Sequence, residues 1–278
     1  GIDPTHLIPM EGNFWEIGEG PCGPDTEIFF DRGEKYDPEN LGVELLRQDL
    51  PNDRYIEIWN IVFSQYNAEE GVDRKDYKEL PSKNIDTGAG LERFACVLQE
   101  TETNFETDLF YPYIEQVSKI AKEKYAGEFK MAYRVIADHI RTCTFALADG
   151  AMFSNEGRGY VLRRILRRAV RYSKKLGIEK PFLFELVPTV CEVMKGYYPY
   201  LYEKQERVMK MIKTEEEKFA STLNSGEQIL RKMIENVESL SGEDAFKLYD
   251  TYGFPIELTE EIRHDQGKGV DLVGFQVE

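Results

Sequence analysis

Tyr55-Ile56-Glu57-Ile58-Trp59-Asn60-Ile61-Val62-Phe63-Ser64-Gln65-Tyr66 is the stretch that decides the fold. It is rich in β-branched and aromatic residues, which favour a pleated, half-buried strand over a helix. In a regular strand Glu57, Trp59, Ile61 and Phe63 share one face, and Glu57 and Asn60 fall on opposite faces. Downstream, a polar connection is expected over 67–83. Ile85-Asp86-Thr87-Gly88-Ala89-Gly90-Leu91-Glu92-Arg93-Phe94 then reads as a strand end, a glycine turn and a helix start. Upstream, residues 13–17 and 27–31 are short aromatic strand candidates. They are separated by a stiff turn-rich loop, Gly18-Glu19-Gly20-Pro21-Cys22-Gly23-Pro24.

Past residue 110 the texture changes. Helices are expected over 113–124, 133–148, 159–175 and 181–195. A long amphipathic helix is expected over 203–237, broken or kinked at Ser225-Gly226. Shorter helices are expected over 244–249, ending at Tyr252-Gly253-Phe254-Pro255, and over 258–263. Charge divides at the same place. Residues 1–110 hold 9 Lys and Arg against 25 Asp and Glu, net −16, and the remaining 26 of each cancel. A domain boundary is therefore placed near Tyr111 and Pro112, giving domains 1–111 and 112–278.

An overall net charge of −16 rules out a uniformly basic nucleic-acid coat. No apolar run approaches the roughly 20 residues that cross a bilayer, so no membrane partner is expected. The start has no secretory signal pattern. Cys22, Cys96, Cys143 and Cys191 are scattered without CxxC pairs, which reads as reduced thiols in a cytoplasmic protein. His139 and Cys143 stand four apart, but two ligands do not make a zinc site. The opening Gly1-Ile2-Asp3-Pro4-Thr5-His6 reads as the middle of a connection, so a segment of something longer is expected.

Four constellations carry possible chemistry. In Asp86–Arg93 two glycines one residue apart open the backbone to a ligand. Asp86 suits an ammonium group, and the Arg93 fork suits phosphate or carboxylate. A strand-to-helix turn with a surface arginine fits the same residues. Glu57 and Asn60 offer a carboxylate and an amide oxygen for a Mg²⁺ ion that also touches phosphates, provided a bulge brings them to one face. A plain exposed glutamate on a half-buried strand is the alternative. Asn13-Phe14-Trp15, with the glycine-proline loop and Asp25-Thr26-Glu27, can wall a small pocket or serve as core. Finally, Arg158, Arg163, Arg164, Arg167, Arg168, Arg171, Lys174 and Lys175 lie within eighteen residues with no acid between them. This pattern fits a helix holding a phosphate backbone, or a solvated face neutralised by nearby glutamates.

In order, these segments resemble the alanyl-tRNA synthetase family of class II aminoacyl-tRNA synthetases. The resemblance runs through Asn13-Phe14-Trp15, Gly20–Phe29, Tyr55–Phe63, Asp86–Arg93, Arg134–Arg141, Ser154–Arg171 and Leu248–Pro255, nearly the whole chain. It implies an α+β fold: part of the class II antiparallel sheet with its motif 3, followed by an all-α tRNA-recognition domain. It implies activation of alanine with ATP and Mg²⁺, then transfer to the 3′ end of tRNA(Ala). Arg93 and Asp86 become the catalytic pair, Arg93 along the triphosphate and Asp86 on the alanine ammonium group. Trp15, Val62 and Gly88 would line the alanine pocket with Asp86. Glu57, Asn60 and Gly90 would meet ATP with Arg93, and Glu57 and Asn60 would hold Mg²⁺. Asn155 and Asp250 would flank the acceptor-stem G·U pair, while the arginines from Arg158 to Arg171 hold phosphates.

The family's motifs 1 and 2, editing domain with its zinc cluster, and C-terminal domain have no counterpart here. Zinc is expected only in that editing domain, and the isolated chain is expected not to complete the reaction. Two alternatives remain. One is a helical acceptor-stem RNA-binding module without ligase activity. The other is a relative that activates an amino acid for another purpose.

Overall fold

The computed structural model describes residues 2–234, 237–252, 254 and 256–277. Inside its helices the side chains of Leu223, Asn224, Glu227, Asp250, Glu257, Glu261, Asp265 and Val277 lie outside that description. The chain divides into two compact units, Gly1–Leu109 and Phe110–Glu278.

The first unit is built on four antiparallel strands in sequence order: β1 (Phe14–Trp15), β2 (Gly20–Asp31), β3 (Tyr55–Ala68) and β4 (Lys78–Ala89). The short helix α1 (Glu44–Arg47) lies in the β2–β3 connection, and α2 (Leu91–Leu98) follows β4. Two expectations are corrected. The glycine-proline segment is mostly strand, because Gly20, Pro21 and Cys22 pair with Ala68, Asn67 and Tyr66; an irregularity between Cys22 and Asp25 absorbs Gly23 and Pro24. The polar connection after β3 shrinks to 69–77, because Glu79 and Lys78 pair with Tyr66 and Asn67. β4 is exposed along nearly all its length and contains Pro81, both of which an edge strand tolerates. Hydrophobic patterning cannot reveal a strand of that kind.

The second unit is helical: α3 (Tyr111–Ser118), α4 (Lys130–Ala148), α5 (Gly157–Lys175), α6 (Val187–Met194), α7 (Tyr200–Met233), α8 (Gly242–Asp250), α9 (Ile256–Asp265) and α10 (Leu272–Val277). Tyr133, Ile136, Ile140 and Leu147 of α4 and Leu162, Leu166 and Ala169 of α5 are buried at helical spacing, and these two helices pack together. The expected break at Ser225-Gly226 does not occur, and α7 runs through it unbroken. Gly226 is there for space: a Cβ would lie 2.0 Å from the Phe254 ring. The unit departs from all-α at β5 (Ser239–Leu240) and β6 (Gly269–Val270), a two-residue parallel pair. Gly253 and Pro255, which the sequence marks as a helix end, lie outside the described residues.

Buried charged groups tie the elements of this unit together. Arg263 is 1% exposed and donates to the carbonyls of Val237 (3.0 Å), Glu238 (2.7 Å) and Gly269 (3.3 Å), tying α9 to β5 and β6. Glu216 of α7 is also buried. Its carboxylate accepts from the backbone N–H groups of Phe182 (2.8 Å) and Leu183 (3.1 Å), where a 3-10 turn (Leu183–Leu186) leads into α6. Burial outweighs those bonds and pushes the Glu216 carboxyl up to about 7.

Arg263→Met is expected to cost about 3 kcal/mol of stability, since three carbonyls lose their donor; urea unfolding measures it. For Glu216 the folded state binds the proton more tightly than the unfolded chain. That stabilisation is complete below pH 4.5, the ordinary carboxyl value, and is lost as pH rises through about 7. Glu216→Gln removes the dependence. Relative to the parent chain it should gain about 2–3 kcal/mol between about pH 5 and pH 8. Parallel pH profiles for the two proteins would contradict this account.

Candidate functional site

The central strand β3 is not regular. Ile28 pairs with Trp59, but its neighbour Phe29 pairs with Glu57, leaving Ile58 as an extra residue. The bulge changes the face that Glu57 occupies. The rows across the sheet are Asp25–Val62–Asp86 and Glu27–Asn60–Gly88, and residues in one row share a face. Phe29 stands two residues from Glu27, so its partner Glu57 joins Asn60 and Val62 on that face. The expectation that Glu57 lies with Trp59, Ile61 and Phe63 is thereby corrected. Trp59 turns to the other face, donating to the Thr87 hydroxyl and meeting Phe94 edge-on.

The bulge is held from α2 and the turn before it. The Ile58 carbonyl accepts from Gly90 N–H at 3.3 Å. Arg93 Nη1 donates to the Glu57 carbonyl at 3.0 Å and to Glu57 Oε2 at 2.8 Å. Gly90 permits this, since a Cβ there would crowd the Arg93 stem at 3.0 Å. A Cβ on Gly88 would meet nothing within 4 Å, so the space beside Asn60 is open. Asp86 is exposed, and one of its oxygens accepts from Thr87 N–H at 2.8 Å.

This face is acidic. Burial, then the charges of Glu57 and Asp25, raise the Glu27 carboxyl above its usual range, and Arg93 opposes them. Sequence reading takes Glu27 only as part of a pocket flank, because its proximity to Glu57 depends on the bulge. No group of three or more His, Cys, Asp or Glu among the described residues is arranged to hold a metal ion. A cation sharing its shell with phosphates needs fewer protein ligands. Asn60 Oδ1, buried and without a hydrogen-bond partner, is the kind of oxygen such an ion takes up alongside Glu57.

Trp15 pairs with Gly23, and its indole donates to the Phe63 carbonyl at 2.9 Å. Gly23 is obligatory here: a Cβ would sit 2.0 Å from that same oxygen. Arg74 lies over the Phe14 ring at 4.2 Å and pairs with Glu16 at 3.2 Å, bracing the strand that carries Trp15.

In the second unit the arginines of α5 differ in burial. Arg158, Arg164 and Arg168 are exposed, Arg163 and Arg167 are half-buried, and Arg171 is buried. Arg167 donates through Nε (3.2 Å) and Nη2 (3.0 Å) to Glu215 of α7, and Arg163 Nε lies 3.0 Å from the same oxygen. Burial lowers the Arg167 guanidinium from its ordinary value, and Glu215 opposes that. Arg163 also donates to the side-chain oxygen of Asn155, in the turn before α5. Gly159 keeps that turn close, since a Cβ would lie 2.3 Å from the Met152 carbonyl. Asp250 closes α8, but its side chain lies outside the described residues. Glu215 is absent from the sequence-level reading. Its only signal is an acid in the buried register of Val208, Ile212 and Phe219.

The sequence pattern of the class II (A) tRNA synthetases matches residues 1–278. The chain belongs to that family. It is 59% identical to an alanine–tRNA ligase of Streptococcus sanguinis over 99% of its own length. It is 58% and 57% identical over the same share to those of Streptococcus pneumoniae and Streptococcus mutans. The chain spans about a third of the length of these relatives, 32% in each case. Among the described residues no helix is long and apolar enough to cross a membrane.

On the synthetase sheet face, Glu57→Gln should lower the Glu27 titration and Arg93→Met should raise it further, read by carboxyl-carbon NMR. An unmoved Glu27 in both variants would mean that the three groups are not electrostatic neighbours.

Proposed function

We propose that the chain supplies part of the aminoacylation machinery of an alanine–tRNA ligase, using ATP and Mg²⁺ to activate alanine and pass it to tRNA(Ala). The observation that carries the reading is identity near 60% to alanine–tRNA ligases along 99% of the chain. The face with Asp86, Val62, Gly88, Asn60 and Glu57 supports it. The Asp86 carboxylate holds the alanine ammonium group. The open space at Gly88, with Val62 and Trp15 as walls, takes a side chain no larger than a methyl group.

Arg93 exchanges Glu57 for the triphosphate, while Gly90 keeps the backbone close to the nucleotide. Glu57 and Asn60 would hold the Mg²⁺. When bound, that ion supplies positive charge to the phosphate oxygens during displacement at the α-phosphate. The chain's own residues bind and orient, so catalysis here is positioning and charge stabilisation.

In the second unit Asn155 and Asp250 read the G·U pair of the acceptor stem. Arg158, Arg164 and Arg168, which are exposed on α5, hold its phosphates. Arg163, Arg167 and Arg171 contribute mainly through the fold. Four buried, unpaired cysteines suit a cytoplasmic setting.

The test replaces the matching segment of the Streptococcus sanguinis ligase with this chain. Alanine-dependent ATP–pyrophosphate exchange should be retained, and Asp86→Ala in that chimera should lower kcat/KM for alanine by at least about tenfold. A folded chimera that activates another amino acid, or none, defeats the reading. With the chain alone, Asn155→Ala should reduce preference for a G·U over a G·C acceptor-stem duplex by about 1–3 kcal/mol. Stem binding by this chain beside a folded, inactive chimera would favour an RNA-binding module instead.

A further inference from the structure

Glu215 is too deeply placed to touch an RNA. Its side chain is 6% exposed on α7, yet it organises two arginines of α5. Arg167 donates to it from two nitrogens, while Arg163 Nε lies 3.0 Å from the same oxygen as a charge contact without hydrogen-bond geometry. Arg163 Nε is buried on the Glu215 side, and Nη1 of the same guanidinium donates to Asn155 Oδ1. A guanidinium only donates, so the Asn155 atom facing it must be the oxygen. The amide NH₂ is then the group that exposed Asn155 presents away from Arg163.

We propose that Glu215 is a positioning residue for RNA recognition: through Arg163 it fixes the Asn155 amide so that its NH₂ meets an acceptor atom in an RNA minor groove. This rests on the reading that Asn155 contacts the acceptor stem. The acceptor is a pyrimidine O2, a purine N3 or a ribose 2′ oxygen, all displayed in the shallow groove of an A-form stem. The exocyclic amino group of guanine is a donor and is excluded as the partner of that NH₂. Arg163 and Arg167 stand one helical turn apart on α5, where like charges repel. Glu215 compensates that repulsion, and its charge holds the Arg163 guanidinium where Nη1 reaches Asn155. Among the described residues its neighbour Glu216 accepts from backbone N–H groups, so the two acids have separate roles.

The experiment measures binding of the full chain to short acceptor-stem duplexes carrying G·U, G·C or inosine·U at the recognised pair. Glu215→Gln should cut the G·U over G·C preference about fivefold while leaving the affinity for G·C nearly unchanged. In an Asn155→Ala background it should have no further effect on the preference. Arg163→Lys keeps the charge but lacks the fork, and should reproduce the loss; it also serves if Glu215→Gln does not fold. Asn155→Asp, which replaces donor with acceptor, should lose the preference. The loss caused by Asn155→Ala should be the same on G·U and inosine·U.

Equal weakening on all stems by Glu215→Gln, or loss that adds to that of Asn155→Ala, would make Glu215 a purely structural ion-pair partner and overturn the proposal. A smaller Asn155→Ala effect on inosine·U would overturn the assigned orientation. If Asn155→Ala leaves the preference intact, or the chain shows none, the acceptor-stem reading itself fails, and the proposal with it.

Discussion

The candidate catalytic face depends on one extra residue in β3. The Ile58 bulge breaks the two-residue alternation, and the groups it leaves unpaired are taken by Gly90 N–H and Arg93. Without it Glu57 would point with Trp59 and Ile61 toward the other side of the sheet. With it Glu57, Asn60, Val62, Asp86 and Gly88 share a face, and Arg93 is anchored at its rim. The same contacts that satisfy the bulge therefore place the only arginine of the motif beside the acidic pair. The Arg93–Glu57 ion pair is partly exposed, 48% and 31% at the two side chains. Its value lies in geometry more than in stability, since exposed pairs are worth little.

The second unit relies on a different constraint, the cost of burying charge. α7 carries Glu215 and Glu216 in succession, both buried. Glu215 is met by two guanidinium groups and Glu216 by backbone N–H groups of the turn into α6. Arg263 repeats the solution with opposite sign, donating to carbonyls just before β5 and within β6. Each charge is satisfied by groups from another element, so each acts as a tie between elements as well as a buried cost. The arginine-rich helix α5 is consequently less positive toward solvent than its composition suggests.

Much of this was legible from residue types alone. β3, the glycine turn into α2 and the amphipathic α4, α5 and α7 all follow from periodicity. The α5 cations were visible as a cluster, and Asp86, Gly88, Gly90 and Arg93 as a motif. What was not legible has a common cause. β4 is an exposed edge with Pro81, Gly20–Pro24 is strand because of its pairing, and Gly226 sits under Phe254. Each is decided by a partner distant in sequence, and no local propensity encodes it. The same holds for Glu27, whose environment is set by Glu57 and Asp25, and for Glu215.

By itself the sequence determined the class of each segment and the chemical inventory, because strand and helix periodicity and side-chain chemistry are local properties. It also carried the family, through seven ordered segments. Only the tertiary structure decided which side chains face one another. Register across a sheet shifts all later residues by one face at a single bulge, and a buried acid on α7 selects which α5 arginines turn inward. Both outcomes arise from satisfying backbone and charged groups across elements, so they exist only once the chain has folded.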